Sequence, residues 1–403
     1  MTAKGAGKAV TVEDRVFIAG AGPVGLVAAA NLLRLGVPVT VFEAGADLSE
    51  ESRASTFHPP TLDMLEVLVA AKPLIAQGLI APKFQYRTKH DGLVAEFDFA
   101  AIADATAHPY RVQSEQSKLT RILCEQLRQH KNFHIEFGAK VTGVDQDSDA
   151  VHVGLVRDGR AETRSGRWLV GADGSRSEVR RALGILFEGF TWPERFLVVS
   201  TPFDFRGRIP DLVSVNYVAD PQRWHFFLEI PGLWRVMFPV AEQESDEQAL
   251  SPDFGQSLLA GTIAGVSRFE VCHTTLYKVH QRVAGAFRLG RAFLAGDAAH
   301  INNPLGGMGM NGGIHDAMNL STLLAEVWHG SRDGAELDRY DRQRRLITKE
   351  YIESQSIQNK RNLEAAGEFK QHLRHIAADP ARAREYLLRV SMIASLRRAA
   401  ELG

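Results

Sequence analysis

Cysteine is almost absent: only Cys124 and Cys272 occur among 403 residues. That excludes a disulfide framework and leads us to expect a reducing, cytoplasmic setting. Surplus charge is absent as well, since 47 Lys+Arg stand against 48 Asp+Glu and leave −1. A nucleic-acid binder usually carries a basic excess or stripe, so no such partner is expected. No apolar run reaches the ~18 residues that a membrane span needs, so membrane association is not expected either. Met1 to Thr11 lack the apolar stretch of a signal peptide and read as a frayed tail. There is no internal repeat, no Walker A loop and no nucleophile elbow. His273 and His280, or His372 and His375, have no partners at ligand spacing, so no metal site is expected. What remains is ordinary globular composition, 45% hydrophobic and 24% charged. At about 150 residues per unit, the length suits two or three units.

Arg15-Val-Phe-Ile-Ala-Gly20 is a short apolar run that enters a glycine turn and predicts a buried parallel strand. Pro23 to Leu35 predicts a helix stopped by Gly36, and Val39 to Glu43 a second strand. Together they have the size of a βαβ unit. Residues 58–69 and 117–131 read as helices, 83–99 as two short strands, 134–157 as a meander and Trp168 to Ala172 as another buried strand. From about 190 to 280 the chain becomes rich in strands and aromatics, as at Leu212–Val218, Trp224–Ile230 and Trp234–Val240. Residues 291–296 return to a buried strand. A Gly/Asn/Pro loop follows, then a helix from about 311 to 327 and a helical tail from about 336 to 400.

Gly20-Ala-Gly22-Pro-Val-Gly25 fits G-x-G-x-x-G in its required context, between a strand and a helix. The glycines allow a tight turn, close approach to a pyrophosphate and close helix–strand packing. The helix N-terminus supplies unpaired N–H groups for the phosphates. Glu43 follows Gly25 by 18 residues, at the end of the second strand, where a carboxylate can accept both ribose hydroxyls. This motif does not separate FAD from NAD. Two others follow. Asp173-Gly174 ends the strand Trp168 to Ala172. Gly296-Asp297 ends another, and runs into Asn302-Asn-Pro304-Leu-Gly306-Gly307-Met-Gly309-Met310-Asn311-Gly-Gly. That glycine-rich loop can lie flat against a planar ligand, with a helix N-terminus beyond it to stabilise negative charge.

In order and spacing, the three motifs resemble those of the single-component FAD-dependent aromatic hydroxylases, the para-hydroxybenzoate hydroxylase-like flavoprotein monooxygenases, over residues 13 to 365. The resemblance implies an α/β fold, with a Rossmann-like FAD-binding domain, an inserted β-sheet substrate domain and C-terminal helices. The implied bounds are a tail at 1–12, an FAD-binding domain at 13–82, 100–185 and 286–335, a β-rich substrate domain at 83–99 and 186–285, and helices at 336–403. It implies FAD as cofactor and NADH or NADPH as reductant. It also implies hydroxylation of a small aromatic or phenolic substrate with O2, through a flavin C4a-hydroperoxide. Gly20, Gly22, Pro23, Val24, Gly25, Glu43 and Ala44 then serve the ADP half. Arg53 and Gln116 lie near the phosphates and cofactor, and Asp173 belongs to the Asp-Gly pair. Gly296 and Asp297 serve the ribityl and phosphate region. Pro304, Gly306, Gly307, Gly309, Met310 and Asn311 line the isoalloxazine. Larger relatives add a thioredoxin-like domain for which 403 residues leave no length, so either a monomer or a homodimer is expected.

The group that polarises the substrate is less legible. Tyr217, His225, Phe227, Arg235 and Met237 lie on strands that face the substrate in the family. Alternation puts Arg235, Met237 and Pro239 on one face and Trp234, Val236 and Phe238 on the other. Arg235 is the one charge in its apolar strand, able to bind a substrate carboxylate or to serve as a structural ion pair. His58, before Pro59-Pro60, is either a catalytic group beside the flavin or a residue at a helix start. Pro304, His58, Arg235 and Tyr217 are the catalytic candidates. His300 reads as support for the loop, and Cys272 as a buried thiol. The basic, amphipathic stretch from Ala383 to Leu396 suits either a membrane surface or packing on its own domain. Other readings of the whole chain are a flavin oxidoreductase without oxygen transfer, a hydroxylase of an isoprenoid quinone precursor or secondary metabolite, and a flavin-bound sensor.

Overall fold

The computed structural model describes residues 12–50, 54–364 and 368–403. Arg53 and the expected tail, apart from Val12, lie outside them. One sheet has a parallel centre in the strand order Ala292–Leu294, Arg160–Gly171, Val12–Ala19, Val39–Glu43, Phe133–Phe137. Lys140–Gln146 and Val151–Arg157 extend it as an antiparallel flap on Arg160–Gly171. Val16 to Ala19 are wholly buried because helix Pro23–Arg34 packs on one face of this centre, where Gly25 meets Ile18, and the flap with the start of Arg160–Gly171 covers the other, where Gly166 and Arg164 lie on Phe17. Pro23–Arg34 is one of those helices. Pro23 sits at its first turn, where a missing N–H costs nothing. Gly36, at φ 82°, turns the chain back into the next strand.

The second sheet is mainly antiparallel. Its long strands Phe187–Thr201 and His273–Ala284 pair with each other, and the order continues through Leu233–Val240, His225–Ile230, Val215–Ala219, Lys83–Thr88 and Gly92–Asp98. A third, small sheet of Thr56–Phe57, Arg111–Gln113 and Leu79–Ala81 bridges the two. Its strands of two or three residues are too short to show a period, and sequence patterning misses them. Patterning also misses the helices Asp246–Leu250 and Pro252–Thr262, although Ser251 and Pro252 form a standard helix start.

The long helix begins at Met308, not at about 311, and runs to Trp328. Gly309 to Gly313 are therefore in its first turns rather than in the loop. Glycine is required there by packing. A Cβ on Gly313 would lie 2.7 Å from Val24 and 2.9 Å from the Gly296 Cα. At the C-terminus, Leu387, Val390 and Ile393 are buried against the aromatic cluster of the second sheet, so the amphipathic stretch packs on its own chain. Met392, at φ 69°, divides it into helices Pro380–Val390 and Ile393–Glu401. Cys272 is exposed just before its strand, not buried within it, whereas Cys124 is buried.

Candidate active site

A cavity of about 880 Å3 runs from the first glycine turn to the face of the second sheet. At one end lie Gly20, Gly22, Pro23, Val24, Glu43 and Ala44. Gly20, at φ 100°, leaves a Cβ position only 2.5 Å from the Ala172 carbonyl, and a Cβ on Gly25 would sit 2.0 Å from the Gly20 carbonyl. Gly22 differs, because its Cβ would meet nothing within 4 Å. It caps helix Pro23–Arg34 without any side-chain hydrogen bond, so the first helical N–H groups face the cavity unpaired. Glu43 accepts from the Ala21 N–H at 2.7 Å and the Gly45 N–H at 2.8 Å, which orients its carboxylate at the strand end. Lys140, Arg176 and Arg181 add cations to the lining. Asp173 caps helix Glu178–Ala182 through one oxygen, at 2.7 and 3.1 Å, and leaves the other buried without a partner. Burial raises its pKa.

The middle of the cavity is the turn Pro304 to Gly307. Gly306 and Gly307 take φ of 100° and 67°, and Gly307 caps helix Met308–Trp328, again with no side-chain cap. A second uncapped helix N-terminus therefore faces the same space. Two side chains hold the turn from behind. Asn311 accepts from the His58 N–H at 2.9 Å and donates to the Thr56 and Gly307 carbonyls at 2.8 and 2.6 Å. His58, fully buried, meets the Gly306 carbonyl through Nε2 at 2.8 Å. Burial, then the charge of Arg111, lowers its pKa, so the ring is neutral and Nε2–H donates.

Deeper still is a closed ionic network. Asp316 accepts from the Gly296 N–H at 3.1 Å, His300 Nε2 at 2.7 Å and Arg344 Nε at 2.6 Å; Arg344 also donates to the Gly312 carbonyl at 3.2 Å. Burial alone would raise the Asp316 pKa, but His300 and Arg344 outweigh it and hold it at about 2. This network ties the Gly-Asp turn to the helix that presents the glycines.

The far end is aromatic. Tyr217 is stacked between Tyr86 (centroids 5.0 Å apart) and Phe226 (4.8 Å), and the Tyr86 hydroxyl lies 2.9 Å from that of Tyr386. Tyr217, Phe226, Leu228, Met237 and Tyr277 line the space, with Arg235 and Arg111 as its cations. Arg235 donates to Ser55 Oγ at 3.1 Å. Burial lowers its pKa, opposed by Glu115 and Tyr277.

The sequence model of the FAD binding domain family matches residues 13–355. Para-nitrophenol 4-monooxygenase of Pseudomonas sp. (strain WBC-3) is 33% identical over 350 residues, 86% of each chain. 6-Hydroxy-3-succinoylpyridine 3-monooxygenase of Pseudomonas putida (strain DSM 28022 / S16) is 32% identical over 390 residues, 94% of this chain and 98% of that one. The chain belongs to the single-component FAD-dependent aromatic hydroxylases. Among solved structures, p-nitrophenol 4-monooxygenase from Pseudomonas putida DLL-E4 superimposes with a TM-score of 0.89 at 30% identity, covering 96% of this chain and 99% of that one. Aklavinone-11 hydroxylase, solved with FAD and aklavinone, gives 0.76 at 26% identity, covering 86% and 68%.

FAD is the hydroxylase's cofactor, and the residues present fit it. The cradle at Gly22 is open where a side chain would intrude, and Asp173 Oδ1 and Asn302 Oδ1 are buried, unpartnered and part of the lining. Of the residues expected from sequence, Gly20, Gly22, Pro23, Val24, Glu43, Ala44, Gln116, Asp173, Asp297, Pro304, Gly306, Gly307, Gly309 and Met310 line the cavity, as do Tyr217 and Arg235. Gly25, Gly296, Asn311 and His58 stand one layer behind, packing or bonding the turns. Arg53 lies outside the described residues. Phe227 and His225 are on the opposite, core-facing side of their strand, and Phe226 and Leu228 take the cavity side. Burial lowers the pKa of His225 to about 4. His300 supports the loop through Asp316, as read. Arg111, Asp316 and Arg344 were not foreseen. A charge heading the short run Arg111-Val-Gln113 was the one signal for the first, and the other two meet only in the folded chain.

Proposed function

We propose that the chain uses NADH or NADPH and O2 to hydroxylate a small phenolic ring. The observation that carries this reading is the continuity of one cavity from the glycine turn of the first sheet to the aromatic wall of the second. Related proteins are named for para-nitrophenol, pentachlorophenol and a hydroxylated pyridine. In this reading Gly20, Gly22, Pro23, Val24, Gly25, Glu43 and Ala44 serve the ADP half of FAD. Gln116, Asp173, Gly296 and Asp297 serve the phosphate and ribityl stretch, and Pro304 with Gly306 to Asn311 the ring. Bound FAD supplies the oxygen activation. The chain's own part is positional and electrostatic. The uncapped start of helix Met308–Trp328 stabilises anionic charge placed against it. Tyr217, Phe226 and Met237 hold the substrate ring and exclude water. His58 acts on the reaction by fixing Gly306 and not by touching substrate. A cytoplasmic protein, monomer or homodimer, suits a chain whose two cysteines are both free thiols.

The test is stoichiometry. With a phenol panel, NAD(P)H oxidation, O2 consumption and hydroxylated product should run one to one to one for at least one member. If reductant is consumed with every phenol but only hydrogen peroxide accumulates, the oxidoreductase reading replaces this one.

A further inference from the structure

Arg111 is buried to 2% exposure, yet among the described residues its guanidinium makes no hydrogen bond and no ion pair. Its contacts are rings: it lies 4.8 Å from the Phe84 centroid and 5.3 Å from that of Phe99. Its Nε is buried without a partner, as is Nδ1 of nearby His58. Ring faces compensate a buried cation only in part. A folded chain rarely leaves a guanidinium in this state unless something else completes it.

Its place says what that is. Arg111 lines the cavity. On one side the small sheet pairs its strand with Thr56–Phe57, and Thr56 and His58 pack on Gly307 at the turn that faces the flavin ring. On the other side Phe84 meets Tyr217 edge-on at 6.4 Å, in the aromatic wall. The charge of Arg111 reaches both sides. It lowers the pKa of His58, and it opposes the rise that burial imposes on Tyr86 and Tyr386. The guanidinium thus stands between the cofactor turn and the wall that holds the substrate ring.

We propose that Arg111 is the substrate-anchoring residue, binding an anionic oxygen group of the aromatic substrate and selecting anionic rings over neutral ones of the same shape. A planar fork with unused N–H groups matches a carboxylate with two parallel bonds, or a phenolate oxygen with two converging ones. Arg235, the charge that sequence singles out, is already engaged with Ser55. The proposal rests on the aromatic-hydroxylase reading for the identity of the ligand, not for the presence of the anion site.

The experiment uses the FAD-loaded full chain and reads ligand binding from the perturbation of flavin absorbance. Two pairs of probes separate the two anions: 4-hydroxybenzoate with 4-hydroxybenzamide, and 4-nitrophenolate with 4-nitroanisole. The wild-type protein should bind the anionic member of one pair about 30-fold or more tightly than its neutral partner. Arg111→Met should abolish that preference while keeping FAD content and holding affinity for the neutral partner within about 3-fold. Arg111→Lys should keep part of it, and Arg235→Met should keep most of it. No anion preference in the wild type, or a preference that survives Arg111→Met or vanishes only in Arg235→Met, overturns the proposal. Should Arg111→Met lose its FAD, the wild-type preference and the Lys variant decide. Product analysis of the same proteins supplied with NADH or NADPH and O2 separates the two readings: an Arg111-dependent preference without hydroxylated product refutes the hydroxylase reading alone.

Discussion

Two buried arginines serve the same cavity, Arg111 in its lining and Arg344 behind the Gly296 turn, and their surroundings differ. Arg344, 1% exposed, is held by an ion pair and a carbonyl: the Asp316 carboxylate, which also takes His300 and the Gly296 N–H, and the Gly312 carbonyl. Arg111, 2% exposed, has only ring faces. A buried charge paired with a carboxylate organises the structure around it, whereas one without such a partner is completed by a ligand. The cofactor floor is therefore complete in the chain itself, and the substrate end is not. Stability follows from the first and selectivity from the second.

The strongest way to break this comparison is to empty the first pocket. Arg344→Met leaves the buried Asp316 carboxylate with only His300 and the Gly296 N–H. It should cost about 3–5 kcal/mol of stability, read as a large fall in Tm with loss of FAD. Glycine substitutions sharpen the cofactor half. Gly25→Ala drives a methyl to within 2.0 Å of the Gly20 carbonyl and should destabilise by several kcal/mol. Gly22→Ala meets nothing within 4 Å of protein, so it should leave the apoprotein's Tm within about 1 °C and still weaken FAD binding at least tenfold, measured by titration. Equal losses of apoprotein stability in the two would mean that the open cradle is not where the cofactor lies.

A pH series probes the buried rings. His58, His225 and His315 all have lowered pKa values, through burial first, reaching about 4 for His225 and about 3 for His315. They stay neutral in the folded chain but take up protons in the unfolded chain below about pH 6.5. Their contribution is fully present above that pH and is lost as pH falls towards the folded values. Each histidine accounts for up to about 1.4 kcal/mol per pH unit. Tm should therefore fall progressively from pH 7 to pH 5, and His225→Phe should flatten the slope by about one proton. A flat profile would contradict the assignment. At the small end, Cys272→Ser on the exposed surface should change stability by less than about 0.5 kcal/mol.

The glycine-turn end of the cavity was legible because backbone constraints write themselves into sequence. Gly20 and Gly25 have no room for a side chain, and Glu43 must stand at the end of its strand. The same logic misplaced the start of the long helix, since a run of glycines reads as a loop unless one knows that Gly313 must touch Gly296. Alternation placed Arg235 and Met237 correctly along their strand. It gave no phase for His225 and Phe227, whose strand carries a phenylalanine on each face. Asp316 and Arg344, 28 residues apart, and Arg111, in a three-residue strand, gain their meaning only from tertiary contacts.

The measurement that bears most directly on the contrast is a thermal melt of Arg111→Met beside Arg344→Met, both without substrate. The account predicts opposite behaviour. Removing the unpartnered guanidinium should leave Tm unchanged or raise it by the equivalent of up to about 2 kcal/mol, while removing the partnered one lowers it steeply. A fall of similar size in both would show that Arg111 holds the fold as Arg344 does, and would contradict its role as a site left open for substrate.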